Sequence, residues 1–163
     1  MTTEFSNLLF SIEDGVARIT LNRPESANAF DLAMGQDLFY AAIECDTNPD
    51  IRAVLIEHAG KVFCAGGDLR AFAAAENLPA LLKEMTTFLH GAISRLVRLD
   101  APVICAVNGT AGGGGLSLIF ASDLVYMAES AKLTMGYTAA GLSPDASSTY
   151  FLPRLVGLRK AMD

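Results

Sequence analysis

Apolar and polar positions along the chain sort first into short extended runs. Leu8 to Asp14 and Val16 to Asn22 read as two strands, joined at Asp14-Gly15, where both positions tolerate φ > 0. Arg23-Pro24 closes the second, because proline brings no N–H to a ladder. Asp31 stands where an N-cap belongs, ahead of Met34, Leu38, Ala41 and Ala42 at helical spacing. Ala53 to Ile56 reads as a short buried strand, and Cys64-Ala65-Gly66-Gly67-Asp68-Leu69 as a glycine turn. The longest periodic stretch is Leu78 to Leu99, where Leu82, Met85, Leu89, Ile93 and Leu96 fall on one helical stripe. Pro102 separates it from the apolar strand Val103 to Val107. A second glycine turn, Gly112 to Gly115, then opens into Leu116 to Phe120. Asp123 to Ala128 and Lys132 to Met135 read as further short strands, and Ser143-Pro144-Asp145 as the start of a helix through Phe151.

Strand and helix alternate without linker, repeat or low-complexity segment, which predicts a single α/β domain over residues 1–163. Leu158 to Asp163 reads as a helix that has begun and not finished, so a further C-terminal portion is expected.

With 52% hydrophobic and 18% charged residues, the composition is that of a folded domain with a real core. A net charge of −6 argues against nucleic acid or an anionic membrane as main partner. It leaves room for a polyanionic ligand held by local N–H groups. Cys45, Cys64 and Cys105 are scattered, and the two histidines, His58 and His90, show no zinc spacing; no metal is expected, and Cys64 and Cys105, in apolar runs, read as buried free thiols. The opening Met-Thr-Thr-Glu-Phe-Ser lacks a signal-peptide pattern, and no apolar run reaches membrane-spanning length, so a cytoplasmic location is expected.

The glycine turns carry the candidate chemistry. Glycine after a buried strand lets backbone approach a ligand and aim its N–H outward, and a helix starting there adds the positive end of its dipole. Two such turns brought together make a pair of donors for one developing negative oxygen. Each turn alone reads equally as a tight connection.

Several motifs occur in order: Thr20-Leu-Asn-Arg-Pro-Glu, Asn28-Ala29, Phe63-Cys-Ala-Gly-Gly-Asp-Leu, Ala106-Val-Asn-Gly-Thr-Ala-Gly-Gly-Gly-Gly, Ala121-Ser-Asp-Leu, Gly141-Leu-Ser-Pro-Asp and Leu152-Pro-Arg-Leu-Val-Gly. Together, from about Ile19 to Gly157, they closely resemble the crotonase (enoyl-CoA hydratase/isomerase) superfamily. The resemblance implies a spiral of ββα units, with C-terminal trimerisation helices expected to be absent from this chain, and a homotrimer or dimer of trimers. It implies an oxyanion hole from the N–H groups of Gly67 and Gly114 and an acyl-CoA thioester as substrate, coenzyme A being part of that substrate rather than a cofactor. Ala65, Gly66, Gly67, Asp68, Leu69 and Arg70 would line the coenzyme A and acyl region. Ala27 and Ala29 would seat the adenine and pantetheine arm. Asp68 is expected only to cap the following helix.

Where the hydratases of the superfamily carry two glutamates, this sequence has Ser117 and Tyr137. Neither is a carboxylate base, so two-glutamate hydration is not expected. Asp145 matches the aspartate used by members that shift double bonds, and by the haloaryl-CoA dehalogenases; the same residue also fits an N-cap. His90 matches the dehalogenase histidine that activates water. About 100° from Leu89 on the wheel, it also fits a helix-surface histidine. The readings are therefore an isomerase with Asp145 as base, a dehalogenase-type hydrolase with Asp145 as nucleophile and His90 as base, and a non-catalytic acyl-CoA-binding subunit. Gly67, where the dehalogenases place an aromatic, favours the first.

Overall fold

In a computed structural model, residues 5–163 are described. Met1 to Glu4, part of the stretch read above for a leader, lie outside them. The chain folds as consecutive ββα units. The strands are β1 (Leu8–Glu13), β2 (Val16–Leu21), β3 (Ala53–His58), β4 (Val62–Cys64), β5 (Val103–Val107), β6 (Thr110–Gly112), β7 (Leu124–Met127) and β8 (Leu133–Thr134). The helices are α1 (Leu32–Thr47), α2 (Leu69–Ala73), α3 (Leu78–Leu96), α4 (Gly114–Phe120), α5 (Ser148–Val156) and α6 (Leu158–Met162).

The strands divide between two sheets: β1 and β2 share the larger one, and each later pair gives one strand to each. The larger has the order β1-β2-β3-β5-β7, antiparallel only at the β1–β2 hairpin and parallel thereafter. The smaller, β4-β6-β8, is parallel throughout, with Cys64 beside Ala111 and Ala111 beside Leu133. Parallel neighbours require crossovers, which the helices supply.

The core lies between the larger sheet and the stripes of α1 and α3. Ala17, Ile19, Leu21, Val54, Ile56, Val103 and Cys105 close from the sheet side, and Met34, Leu38, Leu89, Ile93 and Leu96 from the helices. The predicted stripe of α3 is buried except at Leu82, in the helix's first two turns, which is half-buried. Burial removes each large side chain from water for about 1.5–3 kcal/mol. At the far edge β7 shows the opposite character: Leu124, Val125, Tyr126 and Met127 are all exposed, as are Leu155 and Leu158 of the final helices.

Two sequence expectations need correction here. The segment at Ser143-Pro144-Asp145 is not helical; α5 begins at Ser148, because Ala146 and Ser147 take positive φ values of 50° and 65°. The Asp145 side chain consequently caps nothing. The second glycine turn also does not follow Val103 to Val107 directly: β6 intervenes and belongs to the other sheet.

The entry to α1 is fixed by Asn28, fully buried with φ of 51°. Asparagine tolerates this conformation better than other side chains. Its Nδ2 donates to the carbonyls of Ala59 (2.9 Å) and Val62 (2.8 Å), and its Oδ1 accepts from the N–H of Arg23 (2.8 Å). Asn28→Ala leaves these three backbone groups without partners, so we expect a loss of at least about 2 kcal/mol in urea unfolding. Asn28→Asp is expected to lose stability as well, since a carboxylate would face two carbonyl oxygens.

Candidate active site at the ends of three parallel strands

The strands β4, β6 and β8 run the same way and each ends in a glycine-containing turn: Gly66-Gly67, Gly113-Gly114 and Gly136-Tyr137. In open parallel sheets, ligands bind beyond these carboxyl ends. The first two turns meet at backbone contact. A Cβ built on Gly66 would lie 3.0 Å from the Gly112 carbonyl oxygen, 3.3 Å from Gly113 Cα and 3.3 Å from the Gly114 nitrogen. Gly66 also has φ of 94°, which an L side chain rarely adopts.

Both turns leave a donor free. Phe30 bridges Gly67 in parallel fashion, its N–H donating to the Gly66 carbonyl (2.7 Å) and its carbonyl accepting from Asp68 N–H (2.9 Å). Both bonds use the neighbours of Gly67, so the Gly67 N–H points away from Phe30. Gly114 is the first residue of α4, where an N–H has no partner inside the helix. Among the described residues, neither N–H donates a hydrogen bond. Beside them lie the Phe72 ring, 2.7 Å from a Cβ built on Gly67, and the Phe30 ring and Tyr137 hydroxyl, 3.2 and 3.8 Å from one built on Gly114.

Beneath the first turn, Cys64 is fully buried and its Sγ accepts from Gly66 N–H (3.4 Å). Burial pushes its thiol up to about 12, against the smaller opposing effect of that N–H. It is a packing residue at neutral pH, not a nucleophile.

Asp145 and His90, singled out separately in the sequence, are brought together: His90 Nε2 stands 3.0 Å from Asp145 Oδ1, with both side chains about half exposed. The pair connects to the glycine turns through Ser117, buried in α4, whose Oγ donates to the Asp145 carbonyl (3.0 Å) and lies 3.3 Å from the Tyr137 hydroxyl. Burial raises Tyr137 above the ordinary tyrosine range, with the nearby Asp145 carboxylate adding to it, so Tyr137 stays protonated at neutral pH.

The remaining expected ligand contacts are placed unevenly. Ala65, Leu69 and Arg70 are exposed along the first turn and α2. Ala27 is half-buried and its carbonyl accepts from Ala65 N–H (3.0 Å). Ala29 is buried, its N–H donating to Ser26 (3.0 Å) and its carbonyl accepting from Arg23 (3.1 Å). Asp68 caps α2 as expected, accepting from Arg70 and Ala71 N–H at 3.1 Å each. Sequence reasoning missed its other partner. Arg23 reaches Asp68 (2.8 Å) and Asp31 (3.3 Å), clamping the starts of α2 and α1. An arginine before proline reads in sequence only as the end of a strand, and no spacing signals a contact so distant along the chain. A cleft of about 320 Å³ lies beyond Phe72, lined by Leu32, Ala33, Gln36 and Leu81. Among the described residues, no three His, Cys, Asp or Glu side chains cluster to hold a metal, and no helix is long and apolar enough to cross a membrane.

A family model described as enoyl-CoA hydratase/isomerase matches residues 11–163. The chain is 40% identical over 157 residues to a 1,2-epoxyphenylacetyl-CoA isomerase of Escherichia coli (strain K12), covering 95% of this chain and 60% of that protein. It is 32% identical over 152 residues to a 4-chlorobenzoyl coenzyme A dehalogenase of an Arthrobacter species, covering 92% and 55%. The crystal structure of an enoyl-CoA hydratase from Bacillus anthracis superposes with a TM-score of 0.88 at 33% identity, covering 96% of this chain and 60% of that one. The chain thus spans about 60% of the length of the relatives it matches.

The Arg23 clamp gives a pH test. Burial alone would raise Asp68, but the N–H groups of Ala71 and Arg70 and the Arg23 guanidinium outweigh it and hold the carboxyl below the usual carboxylate range. A carboxyl lowered on folding stabilises above its unfolded pKa of about 3.9 and stops doing so as pH falls through the lower folded value. Asparagine keeps the cap and removes the charge. The gap in urea midpoint between the wild type and Asp68→Asn should therefore be full above about pH 5 and close as acid protonates Asp68.

Proposed function

The chain belongs to the enoyl-CoA hydratase/isomerase family, and from that premise we propose that it acts on acyl-CoA thioesters, moving a double bond with Asp145 as the base. The observation that carries the reading is the pair of unpartnered N–H groups at Gly67 and Gly114, on turns in backbone contact. A thioester carbonyl oxygen bound there gains negative charge when a carbon-bound proton leaves, and fixed donors stabilise that charge without reorganising. Asp145 takes the proton from one carbon, the electron pair moves into the thioester to form an enolate, and the same carboxyl returns the proton to another carbon. His90 stands beside the Asp145 carboxylate, its Nε2 3.0 Å from Oδ1. Ser117 and Tyr137 provide no carboxylate, so hydration by two glutamates is not part of the proposal.

In this reading Ala65, Leu69, Arg70 and the exposed side of Ala27 line the path of the coenzyme A arm, while the buried Ala29 shapes that path through its turn. Exposed apolar residues on β7, α5 and α6 support assembly into a homotrimer or dimer of trimers.

A second reading is favoured by one observation, the 3.0 Å His90–Asp145 contact. It suits a dehalogenase-type hydrolysis in which Asp145 attacks an aryl carbon, halide leaves, and His90 activates water against the resulting ester. The Arthrobacter relative bears such a name.

Asp145→Asn should abolish proton exchange from 3-enoyl-CoA into deuterated water, by roughly 10²–10⁴-fold, with acyl-CoA affinity nearly unchanged. Because the Asp145 side chain caps no helix, the fold should not notice. His90→Gln separates the readings: an isomerase keeps turning over, whereas a hydrolase accumulates a covalent ester on Asp145 visible by mass spectrometry. Full exchange by the Asp145→Asn protein would end the base assignment.

The oxyanion hole is tested by Gly114→Pro. Proline suits the first position of a helix and removes the N–H, but its Cβ would stand 3.2 Å from the Phe30 ring, which must shift by a few tenths of an ångström. Exchange should slow about a hundredfold or more. Wild-type exchange in a variant with native circular dichroism would remove Gly114 from the mechanism.

A further inference from the structure

Asp145 is held at its backbone more firmly than a loop residue needs. Its carbonyl oxygen accepts from Ser148 Oγ (2.8 Å), Ser148 N–H (3.1 Å) and Ser117 Oγ (3.0 Å). The next two residues, Ala146 and Ser147, both occupy the left-handed region, which non-glycine residues avoid and rarely occupy in succession. Ala146 is buried at 2% exposure and anchors the turn from the other side.

Two of the three donors belong to Ser148, so they move with the turn they stabilise. Ser117 is the donor from outside. It lies in α4, the helix whose first N–H is that of Gly114, and it is fully buried. A helical serine ordinarily turns its hydroxyl back to the preceding turn's carbonyl; this one reaches across to Asp145 instead. Its single proton goes to a carbonyl, which cannot donate. At the 3.3 Å contact with Tyr137 the serine therefore accepts and the tyrosine donates.

We propose that Ser117 is a positioning residue: through the Asp145 carbonyl it sets the carboxylate and its His90 partner at a fixed place relative to the Gly114 N–H. Tyr137 holds the serine hydroxyl in the orientation that does this. The relay runs Tyr137 O–H to Ser117 O–H to Asp145 C=O, and it joins the donor that receives the negative charge to the base that creates it. This rests on the reading of Asp145 as the base.

The test compares exchange of 3-enoyl-CoA protons into deuterated water for the wild type, Ser117→Ala, Ser117→Thr, Tyr137→Phe and Asp145→Asn. Ser117→Ala should lower kcat about ten- to a hundredfold with KM little changed, since a misplaced base costs the chemical step rather than binding. Tyr137→Phe should lower kcat by less, because Ser117 keeps its proton but loses its guide. Threonine should restore most of the alanine loss by returning the hydroxyl. An active Asp145→Asn protein overturns the base reading itself. An inactive Asp145→Asn protein beside wild-type kcat in Ser117→Ala overturns only the positioning role, as does a rise in KM at unchanged kcat. Should Ser117→Ala fail to fold, Tyr137→Phe decides: wild-type kcat there would overturn the relay.

Discussion

A methyl group on Gly66 would stand 3.0 Å from one carbonyl oxygen of the neighbouring turn and 3.3 Å from the nitrogen of Gly114. The turns ending β4 and β6 therefore meet as bare backbone, with no side chain between them. Everything proposed for the site hangs on that approach. It needs glycine at the contact, a parallel pairing that brings Cys64 beside Ala111, and a bridge at Phe30 that occupies the neighbours of Gly67 but not Gly67 itself. Backbone donors are well suited to the task, because they cannot rotate away from a ligand as a side chain can.

Around this contact, the polar groups act as fasteners. Asn28 satisfies three backbone groups from segments far apart in sequence. Arg23 ties the caps of α1 and α2 together through Asp31 and Asp68. Ser117 does the same on the other side, from α4 to Asp145. Each fastener is buried or nearly so and each has its partners, the condition under which buried polarity contributes to a unique arrangement rather than costing stability.

Much of this was legible in the sequence, and the misses share a cause. The β1–β2 hairpin, α1 with its Asp31 cap, the buried stripe of α3, β5 and both glycine turns followed from periodicity and turn chemistry. Of the smaller sheet only β8 was anticipated, within Lys132 to Met135; β4 and β6 were not, because at three residues each they are too short for an alternating pattern to register. Asp145 looked like a cap because aspartate before Ala-Ser-Ser fits one. Only the positive φ angles of Ala146 and Ser147, which the sequence does not announce, swing the side chain to His90 instead. The pairing of His90 with Asp145, and of Ser117 with both Tyr137 and Asp145, depends on crossovers that local pattern cannot see.

The parallel pairing of the small sheet also bears on how the molecule reaches its native state. Val62 pairs with Thr110 and Ala111 with Leu133, so neither ladder can form until long intervening stretches have been gathered in. Non-local pairing of this kind makes folding slow, since chain entropy is surrendered before the contacts return anything. The β1–β2 hairpin and α3 can form early from neighbouring residues. The meeting of Gly66 with Gly112 and Gly114 cannot, because it joins turns far apart in the sequence. Closure of the two glycine turns during refolding would accordingly trail recovery of helical signal, and a protein with native-looking secondary structure could still lack the paired donors.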